Sequence, residues 1–152
     1  MDDIQKQIEN VIQKKIVHKM VEAHRAIAIT AFQYITANSQ MVGLEYGSPV
    51  LTGRYYTSHR ISINGINTDV SPPNPDGADK PYKGIPLSQA VTELRTLKLG
   101  DTVYISNSLD YALSLENGYS WKAPEGVYGV AAEAITVKFR NVKQALGALF
   151  NQ

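Results

Sequence analysis

The chain has 152 residues, of which 43% are hydrophobic and 19% charged, and its formal net charge at pH 7 is +1. A chain of this length fits one domain with a substantial core, so we expect a single domain over residues 1–152. Cysteine is absent, which excludes disulfides, thiolate metal sites and cysteine nucleophiles. The charge balance predicts no general attraction to nucleic acid or to a membrane surface.

The amino-terminal residues interleave charged and apolar side chains, so the sequence predicts no secretory signal there. No apolar stretch approaches the ~20 residues that a membrane-spanning helix needs. We therefore expect a soluble protein that is made in the cytoplasm and has no membrane partner.

Apolar residues between Asp3 and Asn38 recur at spacings of three and four, which is typical of an amphipathic helix. Neither Pro nor Gly interrupts them, and we predict one long helix over residues 1–38. At ~1.5 Å per residue it would reach about 50 Å, whereas a domain of this size measures about 30 Å. Either the helix kinks, or part of it projects to meet a neighbouring subunit; the alternative is a helix packed along a sheet.

The middle of this helix is basic. It forms either a solvated face or a surface that meets an acidic partner ring or passing DNA, because Lys and Arg make most phosphate contacts. No aromatic residues are interleaved there, so sequence-specific DNA recognition is not expected. The basic residues are Lys14, Lys15, His18, Lys19 and Arg25.

A turn-rich stretch over residues 43–53 connects the helix to the core. Gly53 is predicted to adopt a backbone angle closed to other residues. The stretch from Tyr55 to Val70 predicts two short strands, or one strand bent at Gly65. A tight hairpin at Asn64-Gly65 is the alternative.

Residues 71–86 contain five prolines and two glycines, which predicts a long exposed loop: either a contact arm or a disordered segment. Helical spacing returns from Leu87 to Leu97, and Gly100 marks the helix end. A strand is predicted over Thr102–Asn107, with its apolar side chains, Val103 and Ile105, facing the core.

Residues 106–126 combine a strand end, a short helix and an exposed turn. Ser108 is placed to cap a helix that begins at Leu109 and is closed by Asn117-Gly118. Glu116 faces the negative end of that helix, so we predict a cationic partner, and Arg54 is the candidate. Trp121 lies in the turn, where it is either partly buried or the centre of an interface.

After Gly126 the apolar spacing predicts helix at both ends of the remaining segment. Residues 135–139 alternate cleanly between apolar and polar, so helix and strand both remain open there.

Residues 49–54 read Pro-Val-Leu-Thr-Gly-Arg. Later in the chain come Asn107, Tyr111, Ala112, Glu116 and Gly118, followed by Pro124, Glu125 and Gly126. These segments resemble motifs of the tail-completion and head–tail joining (neck) proteins of long-tailed bacteriophages. That family carries Pro-Val-x-Thr-Gly-Arg in the first third of the chain and Asn-x-x-x-Tyr-Ala-x-x-x-Glu-x-Gly, followed by Pro-x-Gly, in the last third. Two features depart from the pattern: Leu51 replaces a usually acidic residue, and residues 71–86 look like an insertion. The candidate interface or structural residues are Thr52, Gly53, Arg54, Asn107, Tyr111, Ala112, Glu116, Gly118, Pro124 and Gly126, together with Trp121 in the turn.

The resemblance implies an α+β fold, with a long N-terminal helix, a small mixed or antiparallel sheet, short helices and a C-terminal helix packed on it. It implies a structural virion protein of the phage neck, a homo-oligomeric ring of six copies, or of twelve, that contacts adjacent neck or tail-terminator proteins. DNA would pass through the lumen without sequence recognition. The expected location is the virion neck or tail.

No candidate active site is evident. Phosphate-binding glycine loops are missing, and His18 and His24 point about 120° apart on a helix, so they cannot share a metal. His59 lacks a strained nucleophile elbow and an orienting third residue. We predict no enzyme activity, no catalytic residue, no cofactor and no metal. The alternative function is a small hydrolase or nucleic-acid-binding regulator on a similar α+β core.

Overall fold

The computed structural model describes residues 2–37, 47–49, 51, 53–73, 87–142 and 144. They form an α+β fold, as predicted, with a long N-terminal helix, a two-stranded antiparallel sheet, short helices and a C-terminal helix. The elements in chain order are α1 (Asp2–Thr36), α2 (Arg54–Thr57), β1 (Arg60–Ile63), α3 (Leu87–Glu93) with a 3-10 turn (Leu94–Thr96), β2 (Val103–Ser106), α4 (Ala112–Glu116) and α5 (Tyr128–Lys138).

The long helix predicted at the amino terminus is confirmed, and it is continuous over 35 residues. Its buried residues lie near its carboxyl end, at Ala28, Phe32 and Ile35, whereas residues 2–19 are all exposed. Of the three arrangements open from the sequence, the structure has the one in which part of the helix projects, because its first half extends beyond the core.

The sheet pairs β1 with β2 in antiparallel register, with Ile61 opposite Ile105. Val103 and Ile105 pack against the core and Tyr104 is exposed, as predicted for β2. The core consists of two clusters of buried side chains, and Ile105 packs against both. The first cluster comprises Ile35, Tyr55, Leu109, Ala123, Val127 and Ala131. The second comprises Ala28, Phe32, Ile61, Ala90 and Leu94.

The prediction of two short strands, or of one strand bent at Gly65, over Tyr55–Val70 is wrong, and so is the alternative hairpin at Asn64-Gly65. One strand, β1, ends at Ile63, and no second strand forms before Val70. Asn64 does adopt a left-handed backbone, with φ 58°. Its side-chain amide, however, donates to Asp101 Oδ1 (2.8 Å) and accepts from the N–H of Thr102 (2.9 Å). Asn64 thus fastens β1 to the start of β2, and the chain leaves the sheet at Gly65 instead of pairing back on itself.

The short helix predicted from Leu109 begins later, at Ala112, and Ser108 does not cap it. The side chain of Asn107 instead accepts a hydrogen bond from the N–H of Leu109, two residues later (3.2 Å). This contact holds residues 107–109 in an Asx turn. Leu109 is buried in the first cluster, so the chain must pass through the core before the helix can start. The predicted closure at Gly118 is confirmed by its φ of 81°.

The later helices largely follow the sequence. α3 continues into its 3-10 turn, and Gly100 ends the segment with φ 91°. The open segment 135–139 is helical to Lys138, and residues 140–142 and 144 are helical as well. Of the predicted loop 71–86, only residues 71–73 lie within the described part of the chain.

Gly118 provides a test of this backbone. Its φ is positive, and an added Cβ would press into the backbone carbonyl of Pro124. We expect Gly118→Ala to lower the free energy of unfolding by about 2 kcal/mol or more, measured by urea denaturation. Gly65→Ala is the matched control, because its Cβ would meet nothing within 4 Å, and a cost equal to that of Gly118→Ala would contradict the argument.

Candidate functional site

Glu116 lies at the centre of the second motif, where α4 ends beside the start of α5. Its Oε2 accepts the backbone N–H groups of Val127 and Tyr128 (both 2.9 Å), and its Oε1 accepts that of Gly129 (2.8 Å). The first N–H groups of a helix have no partner within the helix, and they carry its positive end. Glu116 therefore caps α5 from a different helix.

The predicted cationic partner of Glu116 is wrong. Arg54 directs its Nε–H to the carbonyl of Ser71 (2.9 Å) instead. Backbone amides at a helix start satisfy a carboxylate as a cation would, because they present converging donors and partial positive charge. Partial burial raises the pKa of the Glu116 carboxyl, but the three N–H bonds outweigh burial and leave the pKa below its ordinary value.

Two glycines of the motif allow this close approach. Gly126 has φ 84°, and a Cβ there would lie 2.5 Å from the carbonyl oxygen of Glu116 and 3.0 Å from its Oε1. Gly118 turns back against Pro124, as described above. Glu116, Gly118, Pro124 and Gly126 are thus brought together in one closed unit, which we call the clamp.

Asn107 connects the clamp side of the molecule to the first motif. Its Nδ2 donates to the carbonyl of Tyr55 (2.9 Å), the residue after Arg54. Gly53 precedes α2 with φ 83°, as predicted, and its carbonyl accepts the N–H of Thr57 (2.9 Å). The two motifs therefore meet through Asn107, whereas Thr52 lies outside the described residues.

His59 is fully buried at the junction of these segments. Its Nε2 lies 2.7 Å from Ser48 Oγ, and its Nδ1 lies 2.8 Å from the hydroxyl of Tyr128. Ser48 Oγ donates to the carbonyl of Ile35 (2.6 Å), so it accepts from Nε2–H, and Tyr128 donates to Nδ1. This assigns the Nε2–H tautomer to a neutral ring.

Burial, with a smaller contribution from the Arg60 guanidinium, lowers the pKa of His59 to about 3. Ser48 is also fully buried, and its proton is committed to a backbone carbonyl. A Ser–His contact of this kind holds no accessible nucleophile. It joins the end of α1, the segment 47–49 and α5 through one satisfied polar network. Sequence reasoning missed Ser48 and Tyr128, since neither lies in a recognisable pattern with His59.

The turn between Gly118 and Pro124 of the clamp carries exposed aromatic side chains. Trp121 is 84% exposed and Tyr119 83% exposed, so the partly buried alternative for Trp121 is wrong. Beside them is a pocket of about 380 Å³, which we call the turn pocket. Its lining includes Leu51, Tyr55, Tyr111, Leu115, Tyr119 and Trp121.

Tyr55 is among the residues that line the pocket, but its hydroxyl is buried from solvent and has no hydrogen-bond partner among the described residues. The ammonium of Lys122, another lining residue, lies 5.4 Å from the centre of the Trp121 ring and brings positive charge to the pocket. The turn pocket therefore combines aromatic surface with one cation. Ala112, the remaining motif residue, packs against the first core cluster.

The basic middle of α1 borders a second, wider groove of about 740 Å³ between α1 and residues 97–99. Arg25 is engaged there, because it pairs with Glu22 and its Nε–H donates to the carbonyl of Leu94 (3.0 Å). Lys14, Lys15 and Lys19 are exposed.

Within the described ranges, no three His, Asp or Glu side chains are grouped so that they could hold a metal. In the same part of the chain, no helix has the length and apolar content needed to cross a membrane. Comparison with models of protein families, with curated proteins and with solved structures finds no match to this chain.

The cap on α5 can be tested by removing the carboxylate. Glu116→Ala should lower the free energy of unfolding by about 1–2 kcal/mol at pH 7, because three N–H groups lose their acceptor. Since the folded pKa is lowered, this contribution is present above pH 4.5 and is lost as the pH falls below it.

The matched control is Glu133→Ala, which removes an exposed carboxylate from the body of α5. We expect a change below about 0.5 kcal/mol for it. Equal losses for the two variants in urea denaturation at pH 7 would rule out a capping role for Glu116.

The buried imidazole predicts a pH dependence of stability. The unfolded chain takes up a proton at pH 6.5, whereas folded His59 resists it down to about pH 3. Stability is therefore unaffected by this group above pH 6.5 and falls as the pH drops, by about 2 kcal/mol between pH 7 and pH 5. His59→Gln should lose this part of the pH dependence in denaturation experiments.

If His59→Gln does not fold, the wild-type ring can be followed by NMR through its contact with Tyr55, whose ring centre lies 4.9 Å away. The His59 resonances should not titrate between pH 8 and pH 5. Titration in that range would contradict the buried neutral ring.

Proposed function

We propose that the protein is a structural subunit of the phage neck, a ring component that completes the tail or joins head to tail around the DNA channel. The observation that carries this proposal is the presence of two unlike apolar surfaces that nothing in the described chain covers. One is the turn pocket. The other lies on the projecting half of α1.

The surface on α1 consists of large aliphatic side chains that are about half exposed or more, with Ile4 at 65%. At ~100° per residue they fall within one sector of the helix, centred about 140° from the sector of Ala28, Phe32 and Ile35 that meets the core. We call this surface the amino-terminal stripe. Its members are Ile4, Ile8, Val11 and Ile12.

Exposed apolar surface of this kind marks interaction sites, because water contact with it is unfavourable. Two different surfaces on one chain support head-to-tail association, in which one face of each copy meets the other face of the next. When the rotation between copies closes, the product is a ring. The resemblance of the two motifs to neck proteins favours a six-fold ring, with twelve copies as the alternative.

The clamp supports the same proposal through its position. Glu116 and the two glycines hold the backbone on both sides of the exposed turn, so Tyr119 and Trp121 are presented from a fixed base. A pre-ordered surface binds with less loss of conformational entropy. The residues that the motifs share thus serve packing, and the side chains between them would make the contacts with adjacent neck or tail-terminator proteins.

Lys14, Lys15 and Lys19 add exposed positive charge to α1. In a ring around the DNA channel, these side chains would attract the phosphates of the DNA without recognising its base sequence. The contact between Ser48 and His59 does not favour the hydrolase alternative, because both side chains are fully buried.

The experiment is depletion of the gene product in cells that produce the particle. We expect full heads and finished tails that do not join, or tails with defective ends, counted by electron microscopy. Wild-type protein should restore joined particles. Normal virions after depletion would refute the proposal.

A matched pair of variants links the outcome to the turn pocket. Trp121→Ser should fail to restore joined particles, whereas Ile66→Ser, which alters an exposed apolar side chain outside the pocket, should restore them. Full restoration by Trp121→Ser would exclude the pocket from assembly.

A further inference from the structure

We propose that the amino-terminal end of α1 from one copy docks into the turn pocket of the neighbouring copy. This inference rests on the proposed function, since it names which surface meets which in the assembly. The occupant is a second copy of this chain, for two reasons: reach and complementary charge.

The first reason is reach. Ile35 belongs to the same buried cluster as Tyr55, whose side chain lines the turn pocket. Ile4 is 31 residues earlier in one continuous helix, and at ~1.5 Å per residue it lies about 45 Å away along the helix axis. The stripe therefore cannot reach the pocket of its own chain, so any pocket that it fills must belong to another copy.

The second reason is complementary charge. The first turn of α1 carries Asp2 and Asp3, directly before Ile4. The turn pocket carries the cation of Lys122 beside the Trp121 ring. An acidic end followed by aliphatic side chains matches a pocket with aromatic walls and a positive rim.

Such a contact is heterologous, because the two copies contribute different surfaces. Each copy has one α1 end and one turn pocket. In a closed ring, every α1 end can therefore fill the pocket of the next copy. The part of α1 that extends beyond the core would then bridge adjacent subunits.

Disulfide trapping tests this pairing directly, because the chain has no cysteine of its own. Full-length Ile4→Cys and Tyr119→Cys proteins are mixed at about 100 µM under mild oxidation. We expect a mixed dimer that forms at least about fivefold faster than with Lys6→Cys in place of Ile4→Cys. Position 6 is in the same turn of α1, about 200° around the helix from Ile4.

Charge exchange provides a second measurement, by sedimentation of the oligomer. Asp2→Lys with Asp3→Lys should weaken self-association about tenfold, and so should Lys122→Glu. Combining all three changes should restore it. Asp2 and Asp3 are exposed and Lys122 is half-buried, and none of the three belongs to either core cluster.

Four results would overturn the proposal. Three of them are no trapping above the Lys6→Cys level, trapping between two Ile4→Cys chains only, and no recovery in the combined charge variant. Trapping that appears only after deletion of residues 74–86 would also overturn it, because that segment would then be the occupant. If depletion leaves particles unjoined while trapping fails, the neck function stands and the pairing does not. If trapping succeeds but depletion leaves normal virions, the pairing stands and the neck function does not.

Discussion

The carboxylate of Glu116 at the start of α5 is the interaction on which the arrangement of the carboxyl-terminal half depends. One side chain satisfies three backbone N–H groups of another helix, and it can do so because Gly118 and Gly126 bring the chain back within reach. The position of α5 relative to α4 follows from this contact. So does the course of the turn between them, which must leave the core and return within a few residues.

A second polar junction, at His59, performs the corresponding task on the other side of the core. Its hydrogen bonds lead to Ser48 and Tyr128, and through Ser48 to the last turn of α1. Buried polar groups are costly unless they are satisfied, and both ring nitrogens here have partners. The network therefore specifies one alignment of α1, β1 and α5, which apolar packing alone would specify less strictly.

These two junctions order a small body and leave two surfaces of the described chain uncovered. The first half of α1 extends past the core with aliphatic side chains in water, and the turn pocket opens beside Trp121. Exposed apolar surface at two distant places supports the proposed contact with other chains. That organisation, more than any reactive group, is the basis for the proposed role in the neck.

Elements with local signals could be predicted from the sequence. Spacing of apolar residues predicted α1, α3 and the faces of β2, and the glycines at 53, 100 and 118, placed at predicted turns or helix ends, have left-handed backbone conformations. The partners of the polar side chains could not be predicted in this way. Glu116 could be seen to need positive charge, but whether a guanidinium or a helix end supplies it depends on where α5 lies. Likewise, Asn64-Gly65 has the composition of a hairpin, and competition from Asp101 and Thr102, distant in sequence, makes it a junction between strands. Periodicity and turn chemistry act over a few residues, whereas these choices depend on groups that meet only when the chain is folded.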